Sequence, residues 1–552
     1  MTNYQFTGGT ICAPATIPGT GAISIIRVSG KEALAIADKV IDTKGAHIAE
    51  TEGYRLRYGT VFEADGSVLD NVIVSVFRAP HSYTGENSVE ISCHASRFIV
   101  NKILELLVNA GARIAAPGEF TRRAFVNGKM DLAQAEAVAD VIASQSAASH
   151  RVAMNQLKGG FSSELKTLRE KLLTMTSLLE LELDFSEEDV EFASRKELGQ
   201  LVDDSLTHIG RLTASFSRGN AIKNGVPVAI VGATNTGKST LLNALLGEER
   251  AIVSDIAGTT RDTIEETLNI DGILFRFIDT AGIRETDETI EKIGIDRTFK
   301  KLGEAAVVLG MTDLSRGEAA VLEDADFILS KVNEMGGVKN VAAGSDGAES
   351  GGSVLAETGG APLAETGRTS PAETGGDSQH GHGAGEERKV VILVNKCDIA
   401  GDFYGVENGV GGGSGNDLGE DKAESGGNKN VNRDNNIVSL IENKYNNCKV
   451  IPISAKAGKG LSTLTKTLGE IGSEITGSTD ETLVTNVRHY EALVRAASAL
   501  ERVRSGLHIA TLPPDLIAQD LREALYHLGE IVGEITTDET LGNIFRHFCI
   551  GK

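Results

Sequence analysis

Short apolar runs alternate with helical patterns between residues 226 and 453. Strands at the centre of a parallel sheet read as continuous apolar runs, because helices cover both faces of such a sheet. The alternation therefore predicts an α/β unit with a mostly parallel sheet and helices on both faces. The predicted strands are Val226 to Val231, Leu274 to Ile278, Ala305 to Leu309, Val390 to Val394 and Val450 to Ile453.

The segments on both sides of this unit repeat apolar residues every three or four positions, which is the period of a helix with one buried face. The α/β unit is therefore predicted to be inserted into an all-helical domain. One apolar face would comprise Leu165, Leu168, Leu172, Met175 and Leu179, and a second Leu521, Leu525, Leu528 and Val532.

The N-terminal part of the chain has a third pattern. Strand-like runs at Ile23 to Val28 and Val72 to Phe77 precede a helical pattern from about Ser96 to Asn109. These elements predict a separate α+β domain. A chain of 552 residues is too long for one hydrophobic core, so a multidomain protein is also expected from length alone.

Two segments have the composition of disordered chain, about 336–387 and about 405–436. The first repeats Ala-Glu-Thr-Gly from Ala356, Ala364 and Ala372, and the second is rich in Gly and Asn. Segments of this kind bury too little apolar surface to fold by themselves. They are predicted to be surface insertions between strands of the α/β unit.

The formal net charge of -23 argues against a nucleic-acid partner, because phosphate contacts require clustered Lys and Arg. The charge is concentrated, however. Residues 336–387 hold eight acidic residues against two basic ones, and residues 401–436 hold seven against three. The rest of the chain is only moderately acidic, so net charge alone does not decide the question.

No apolar run reaches the roughly 18 residues of a membrane-spanning helix, and the first residues lack the pattern of a signal peptide. A cytoplasmic protein without membrane contact is therefore expected. The cysteines lie far apart and form no CxxC pair, which predicts reduced thiols rather than a zinc site or disulfides. They are Cys12, Cys93, Cys397, Cys448 and Cys549.

Residues 232–239, GATNTGKS, match the phosphate-binding pattern GxxxxGK[ST] between a predicted strand and a helix from Thr240 to Leu246. The glycines allow backbone N–H groups to turn toward phosphates. Lys238 can reach the β and γ oxygens, and the Ser239 hydroxyl can bind Mg²⁺. A purely structural glycine turn is the alternative, but four further segments follow in the order that a GTPase requires.

Two of these segments would contact the γ-phosphate and the metal ion. The run SDIAGTT from Ser254 resembles switch I, in which a threonine, here Thr260, closes over the γ-phosphate and Mg²⁺. The run DTAG follows a predicted strand. This position places Asp279 near the metal through water and the Gly282 N–H near the γ-phosphate.

The other two segments would select the base. The Asp398 carboxylate in Asn-Lys-Cys-Asp can accept hydrogen bonds from the guanine N1–H and 2-amino group, a donor pair that adenine lacks. The run Ser-Ala-Lys from Ser454 is expected to give a backbone contact to the guanine oxygen. GTP is therefore the predicted substrate, with contacts at Asn235, Thr236, Gly237, Lys238, Ser239, Thr240, Ser254, Asp255, Ile256, Ala257, Gly258, Thr259, Thr260, Asp279, Thr280, Ala281, Gly282, Asn395, Lys396, Asp398, Ser454, Ala455 and Lys456.

Hydrolysis requires a group that the usual position does not supply. Ile283 follows DTAG where many G proteins have a glutamine that orients the attacking water. One candidate is K⁺, whose charge would stabilise the transition state. The other is Glu291, which could orient the water or be an ordinary surface acid. The predicted K⁺ ligands are Asn235 and backbone oxygens of Ser254, Ile256 and Thr259.

Further motifs lie outside the α/β unit. They are GTGAISIIRVSG from Gly19, SYTGE from Ser82, PGEFT from Pro117, RAFVNGK from Arg123, DLAQAEA from Asp131 and the final FCIGK from Phe548. Together with the GTPase segments, these motifs resemble the MnmE (TrmE) family of tRNA modification GTPases. The resemblance covers essentially the whole chain apart from the two low-complexity insertions.

The resemblance implies three domains. Residues 1–122 would form an α+β domain that dimerises and binds tetrahydrofolate, in its 5,10-methylene or 5-formyl form. Residues 123–222 and 478–552 would form the helical domain, and residues 223–477 a Ras-like P-loop GTPase domain. In this family K⁺ bridges the P-loop and switch I when two G domains meet, so GTP hydrolysis depends on dimerisation.

The resemblance also implies the reaction and the partners. Family members act with MnmG, a flavoprotein that binds FAD, in a heterotetramer. Together they add an aminomethyl or carboxymethylaminomethyl group to carbon 5 of the wobble uridine in tRNA, and folate supplies the methylene carbon. A ribosome-assembly or signalling GTPase, and a GTP-binding scaffold without modification activity, are the competing hypotheses.

Four folate contacts are carried over by motif position, and the water-orienting role falls on Glu291. Arginine and lysine suit the carboxylates of a glutamate tail, and a glutamate suits the donor edge of a pterin. Without the resemblance, the arginine and the first lysine would be ordinary surface cations. The implied folate contacts are Arg27, Glu90, Lys129 and Lys552.

Cys549 and Arg284 are candidates for a role in the modification, although Cys549 could equally be a small buried apolar residue. The sequence also departs from the family pattern, but no departure removes a phosphate-binding group. Ala233-Thr234 and Thr236 replace the usual Arg-Pro and Ala, and Cys93-His94-Ala95-Ser96 replaces His-Gly-Gly.

Three arginines are available for tRNA phosphates or lie on solvated helix faces. They are Arg122, Arg123 and Arg151.

Overall fold

In the computed structural model the chain divides into two units, residues 1–223 with 478–552, and residues 224–477. It describes residues 8–45, 47–184, 194–249, 266–278, 305–334, 388–398, 438, 440–445, 448–477, 481–508, 513–546, 548 and 551. The predicted insertions at about 336–387 and 405–436 lie outside these residues. In the described part of the chain, no helix is both long and apolar enough to span a membrane.

The N-terminal part of the first unit is a seven-stranded sheet with the strand order β3-β4-β5-β6-β2-β1-β7. Neighbouring strands are antiparallel except for β1 and β7. Buried Val72, Val74 and Val76 alternate with more exposed residues, so one face of the sheet packs against helices Ala33–Val40 and Arg97–Asn109. The strands are β1 Ile11–Pro14, β2 Ile23–Ser29, β3 Ile41–Asp42, β4 Arg55–Phe62, β5 Val68–Phe77, β6 Ser88–His94 and β7 Arg113–Ile114.

The helical part of the first unit is built from two stretches of chain that share one core. Leu172 and Val202 from the first stretch pack in the same cluster as Leu500 and Leu528 from the second, which explains the helical period of both. The sequence prediction of a helical domain interrupted by an insertion is confirmed. Its helices are Glu119–Val126, Leu132–Ala143, Ala147–Leu157, Gly160–Asp184, Arg195–Ala214, Phe216–Asn224, Val487–Leu507, Pro514–Val532 and Asp538–Arg546.

The two connections to the inserted unit lie side by side within the first unit. Gly219, near the end of the first stretch, is so close to Val484, near the start of the second, that a Cβ on this glycine would lie 2.1 Å from the Val484 carbonyl oxygen. The Val484 N–H donates to Ser215 Oγ at 3.0 Å, and Gln156 Nε2 donates to the Leu483 carbonyl oxygen at 3.1 Å. A glycine is therefore required at position 219, where the two segments of chain are in contact.

The second unit is a six-stranded sheet with the order β13-β12-β11-β8-β10-β9, parallel except for the antiparallel edge strand β9. The predicted mostly parallel sheet is confirmed. The third predicted strand begins two residues later than expected and extends to Asp313. The strands are β8 Val226–Gly232, β9 Glu266–Ile270, β10 Ile273–Ile278, β11 Val307–Asp313, β12 Lys389–Asn395 and β13 Lys449–Pro452, and the helices are Lys238–Glu249, Glu318–Glu334 and Leu461–Thr476.

Candidate functional site

The predicted phosphate loop joins β8 to helix Lys238–Glu249, as the sequence pattern requires. Asn235 and Gly237 have positive φ angles of 63° and 100°, which turn the backbone sharply before the helix begins. The Lys238 ammonium donates to the carbonyl oxygens of Gly232 and Ala233, both at 2.8 Å, and burial lowers its pKa. The loop therefore sets a lysine and a helix N-terminus side by side, an arrangement that suits phosphate groups.

Asn395 connects this loop to two other loops at the carboxyl edge of the sheet. Its side-chain Nδ2 donates to the Thr236 carbonyl oxygen at 2.7 Å, and its Oδ1 accepts from the Ala455 N–H at 3.0 Å. A Cβ on Gly237 would lie 2.5 Å from Asn395 Nδ2, so only glycine allows this approach. The buried amide thus fixes the phosphate loop relative to the loops that follow β12 and β13.

Asp398 is exposed and is oriented by a serine that lies 56 positions further along the chain. The buried Ser454 hydroxyl donates to Asp398 Oδ1 at 2.7 Å and accepts from the Ala457 N–H at 3.2 Å. The hydrogen bond from Ser454 lowers the pKa of Asp398, so the carboxylate is ionised at neutral pH. This exposed carboxylate, oriented by Ser454, can accept hydrogen bonds from two N–H donors of a base.

The sequence predicts only a backbone contact for Ser454, and it does not indicate a role for Asp313. Asp313 ends β11 directly beside Asn395, and its Oδ2 lies 2.6 Å from the Lys396 ammonium. Nothing in the local sequence indicates either contact, because the partners lie 56 and 83 residues apart. The parallel sheet brings them together by aligning the ends of its strands.

A second constellation, which we call the Arg27 site, lies in the first unit. Arg27 and Glu90 are directly opposite each other on β2 and β6, and Arg27 Nη2 lies 2.8 Å from Glu90 Oε1. The guanidinium carbon of Arg27 is 5.2 Å from the centre of the Tyr83 ring and 5.6 Å from that of Phe120. We define the Arg27 site as these four residues and Gly551.

Gly551 brings the end of the chain to this site. Its carbonyl oxygen accepts from Arg27 Nη1 at 3.4 Å. It has a φ of 97°, and a Cβ there would lie 2.0 Å from the Pro14 carbonyl oxygen. The glycine of the final motif is therefore explained by close backbone approach, and the first and last parts of the chain form one site.

Lys129 reaches the loop that carries Tyr83 rather than Arg27 itself. Its ammonium donates to the Pro80 carbonyl oxygen at 3.1 Å, and its side chain lies next to Gly85. Asn127 Nδ2 donates to the Thr84 carbonyl oxygen at 2.7 Å. The motifs SYTGE and RAFVNGK, separated in sequence, thus meet in space.

Arg123 is neither available for tRNA phosphates nor part of a solvated helix face, so both alternatives from the sequence are wrong for this residue. Its side chain is only 2% exposed and forms ion pairs with Glu86 and Glu119, both at 3.0 Å. It also donates to the Gly9 carbonyl oxygen. A buried guanidinium with carboxylate partners stabilises the packing of helix Glu119–Val126 against the sheet, whereas Arg151 is exposed as expected.

Several predicted residues lie outside the described residues, and their roles stay predictions. They are Ser254, Asp255, Ile256, Ala257, Gly258, Thr259, Thr260, Asp279, Thr280, Ala281, Gly282, Arg284, Glu291, Cys549 and Lys552. Among the residues that the structure does describe, no group of three or more His, Cys, Asp or Glu side chains could hold a metal ion.

Comparison with known proteins covers nearly the whole chain. The family described as "MnmE helical domain" matches residues 132–549, and the one described as "GTP-binding protein TrmE N-terminus" matches residues 10–129. The chain is 45% identical to the tRNA modification GTPase MnmE of Parabacteroides distasonis, over 98% of this chain and 100% of that one. It is 44% identical to the MnmE of Bacteroides thetaiotaomicron, over 98% and 99% of the two chains.

Among solved structures, a GTP-binding protein of Sulfolobus solfataricus in complex with GDP is 15% identical. The match covers 56% of this chain and 67% of that one, with a TM-score of 0.25. A similarity at this level carries no conclusion about function.

Proposed function

Because the chain belongs to the MnmE (TrmE) family of tRNA modification GTPases, we propose that its GTP hydrolysis drives addition of an aminomethyl or carboxymethylaminomethyl group to carbon 5 of the wobble uridine in tRNA. The proposed domains are residues 1–122, 123–222 with 478–552, and 223–477. A second copy of the chain and an MnmG-like flavoprotein that brings FAD would complete the assembly. GTP is the substrate of the G domain.

The proposed nucleotide site uses oxygen donors that suit hard cations. The Ser239 hydroxyl, in the first turn of its helix, would hold Mg²⁺ together with Thr260. The Asn235 side-chain oxygen would bind K⁺ with backbone oxygens of the switch I segment. The exposure of Asn235 supports this proposal, because a side-chain oxygen that is open to solvent is accessible to a hydrated ion. The ions would supply positive charge to the phosphoryl oxygens, and Glu291 would orient the water.

The Arg27 site distinguishes the proposed modification enzyme from a simple GTP-binding switch, which needs no second binding site. The Arg27 guanidinium pairs with Glu90, lies near two aromatic rings and donates to the carbonyl oxygen of Gly551. This set of side chains fits a tetrahydrofolate: the aromatic rings suit the planar pyrimidine ring of the pterin, Glu90 suits its N–H edge, and Arg27 and Lys129 suit carboxylates. Lys552 would follow Gly551 into the same region. Bound folate would supply the one-carbon unit for the modification.

Exchanging potassium for sodium should slow GTP turnover by about 100-fold, because the fixed charge of a K⁺ ion would replace the missing glutamine. Multiple-turnover phosphate release in matched KCl and NaCl tests this expectation. The Asn235→Ala variant should turn over slowly in both salts, whereas Thr234→Ala, in the same loop, should retain the potassium response. Glu291→Ala should be slow in both salts. Equal rates for the unaltered chain in the two salts would contradict the proposed K⁺ role.

Replacing Arg27 with glutamine should weaken tetrahydrofolate binding roughly 30-fold or more, since a charged hydrogen-bond donor would be lost. Titration with 5-formyltetrahydrofolate measures the binding, and mass spectrometry of wobble uridines in a complemented deletion strain measures the modification. GTP turnover should remain. Arg55→Gln removes an exposed arginine of the same sheet and is the matched control. Normal folate binding and modification with Arg27→Gln would rule out the Arg27 site as the folate site.

A further inference from the structure

Asp313 contacts the loop that we propose to recognise guanine. It is the last residue of β11, is paired with Asn395 across the parallel ladder, and is buried. Its Oδ2 accepts from the Lys396 ammonium at 2.6 Å, while its Oδ1 accepts from the Ser315 N–H at 2.9 Å. Every one of these contacts uses the carboxylate as an acceptor.

Asp313 and Lys396 form an ion pair that the surrounding structure stabilises. Burial opposes ionisation of Asp313, but hydrogen bonds from Lys396 and Ser315 outweigh it, and the pKa of Asp313 lies below its ordinary value. Lys396 has a φ of 65°, a left-handed conformation that is unfavourable for a residue with a side chain. The ion pair with Asp313 helps to hold the lysine in this conformation.

Lys396 stands two residues before Asp398, whose exposed carboxylate takes one hydrogen bond from Ser454. A lysine has a long flexible stem and a mobile charge, so a released ammonium would have an ionised carboxylate within reach. Pairing between Lys396 and Asp398 would occupy the oxygen that the base must use. The position of the Lys396 ammonium therefore affects the selectivity of the site for guanine.

We infer that Asp313 is a specificity-positioning residue of the GTPase: it holds the Lys396 ammonium away from Asp398 and so keeps that carboxylate available to the N1–H and 2-amino group of guanine. Asp313 does not contact the nucleotide in this arrangement. It acts through Lys396. The inference rests on the proposed guanine site at Asn395 and Asp398.

Comparison of GDP with IDP, which lacks the 2-amino group, tests this inference on the full-length chain with Mg²⁺. The unaltered chain should prefer GDP by roughly ten- to hundredfold, the effect of one hydrogen bond to a charged acceptor. Asp313→Ala should reduce this preference by about tenfold. Adding Lys396→Met to that variant should weaken GDP and IDP alike, because Lys396 is itself a predicted nucleotide contact, but it should restore the preference between them, because the released charge is then removed. Asp326→Ala breaks an exposed ion pair with Lys444 in the same unit and should leave the preference unchanged.

A purely structural role would weaken both nucleotides equally, would not be corrected by Lys396→Met, and would overturn the inference. If Asp313→Ala does not fold, Asp313→Asn keeps the shape and the acceptor for Ser315, and it should show the same reduced preference because it is neutral. Asp398→Ala separates the two proposals. An unchanged preference in that variant refutes the guanine site itself. Loss of the preference in Asp398→Ala but not in either Asp313 variant refutes only the role of Asp313.

Discussion

Replacing Asp398 with asparagine should change the nucleotide that binds from GTP to XTP. The carboxylate accepts two N–H donors of guanine, whereas an asparagine amide offers one acceptor and two donors. Xanthine has a carbonyl at carbon 2, which an amide donor satisfies. Because a site built for hydrogen bonds strongly rejects a partner that leaves them unpaired, GTP affinity should fall by about 100-fold or more.

The structure indicates that the substitution should leave the loop intact. The amide oxygen of an asparagine can accept from the Ser454 hydroxyl as Asp398 does, so its orientation should persist. Titrations with GTP and XTP in the presence of Mg²⁺, followed by turnover of each, measure the change. Asp326→Asn, in an exposed ion pair of the same unit, is the control. Undiminished GTP binding by Asp398→Asn would show that the base is read elsewhere.

Glu136 gives the largest expected effect on stability. This buried carboxylate links helix Leu132–Ala143 to helix Val487–Leu507 through Arg488 at 3.0 Å and His489 at 2.7 Å. Arg488 in turn donates to backbone carbonyl oxygens of Glu530 and Ile531 in helix Pro514–Val532. One carboxylate thus holds together three helices from both stretches of the helical part.

The Glu136→Ala substitution should destabilise the helical part by about 3 to 5 kcal/mol, because it leaves the buried His489 and the partly buried Arg488 without their carboxylate. Hydrogen exchange of helix amides measures this locally, which matters because a multidomain chain does not unfold in two states. Glu491→Ala, which breaks an exposed pair with Arg495, should cost less than about 1 kcal/mol. Equal protection in the two variants would contradict the proposed role of Glu136.

The same cluster predicts how stability depends on pH. Despite burial, the charges of His489 and Arg488 lower the pKa of Glu136 from 4.5 to about 2, and burial lowers the pKa of His489. Both folded pKa values lie below the unfolded ones, so both contributions are present at neutral pH and are lost on acidification. The protection of helix amides from hydrogen exchange should fall first below about pH 6.5, because of His489, and again between about pH 4.5 and 2, because of Glu136. Glu136→Gln should remove the second phase.

Local patterns account for the part of the fold that could be predicted from the sequence. Strands β8, β10, β11, β12 and β13 are apolar runs whose residues are buried by their own sheet and helices, so their positions follow from hydrophobicity. The phosphate loop is a contiguous motif with its own strand and helix. These features depend on residues that are close together in the chain.

The remaining features depend on partners far apart in sequence. The charge of Arg123 suggested an exposed side chain, but its carboxylate partner Glu86 lies 37 residues away and permits burial. Glu136 belongs to a recognisable motif, yet Arg488 lies 352 residues further along. A single sequence does not show such pairs, because neither partner changes the local period of apolar residues.

The contact between Gly219 and Val484 has a consequence for how such a chain could arise. The polypeptide leaves the helical part and re-enters it at adjacent points, so excising the 224–477 unit would leave ends that a short turn could rejoin. The helices would then need no rearrangement to close their core. A GTP-hydrolysing domain could thus have been inserted into an ancestral helical bundle in one step, at a position where the insertion breaks few contacts of the bundle.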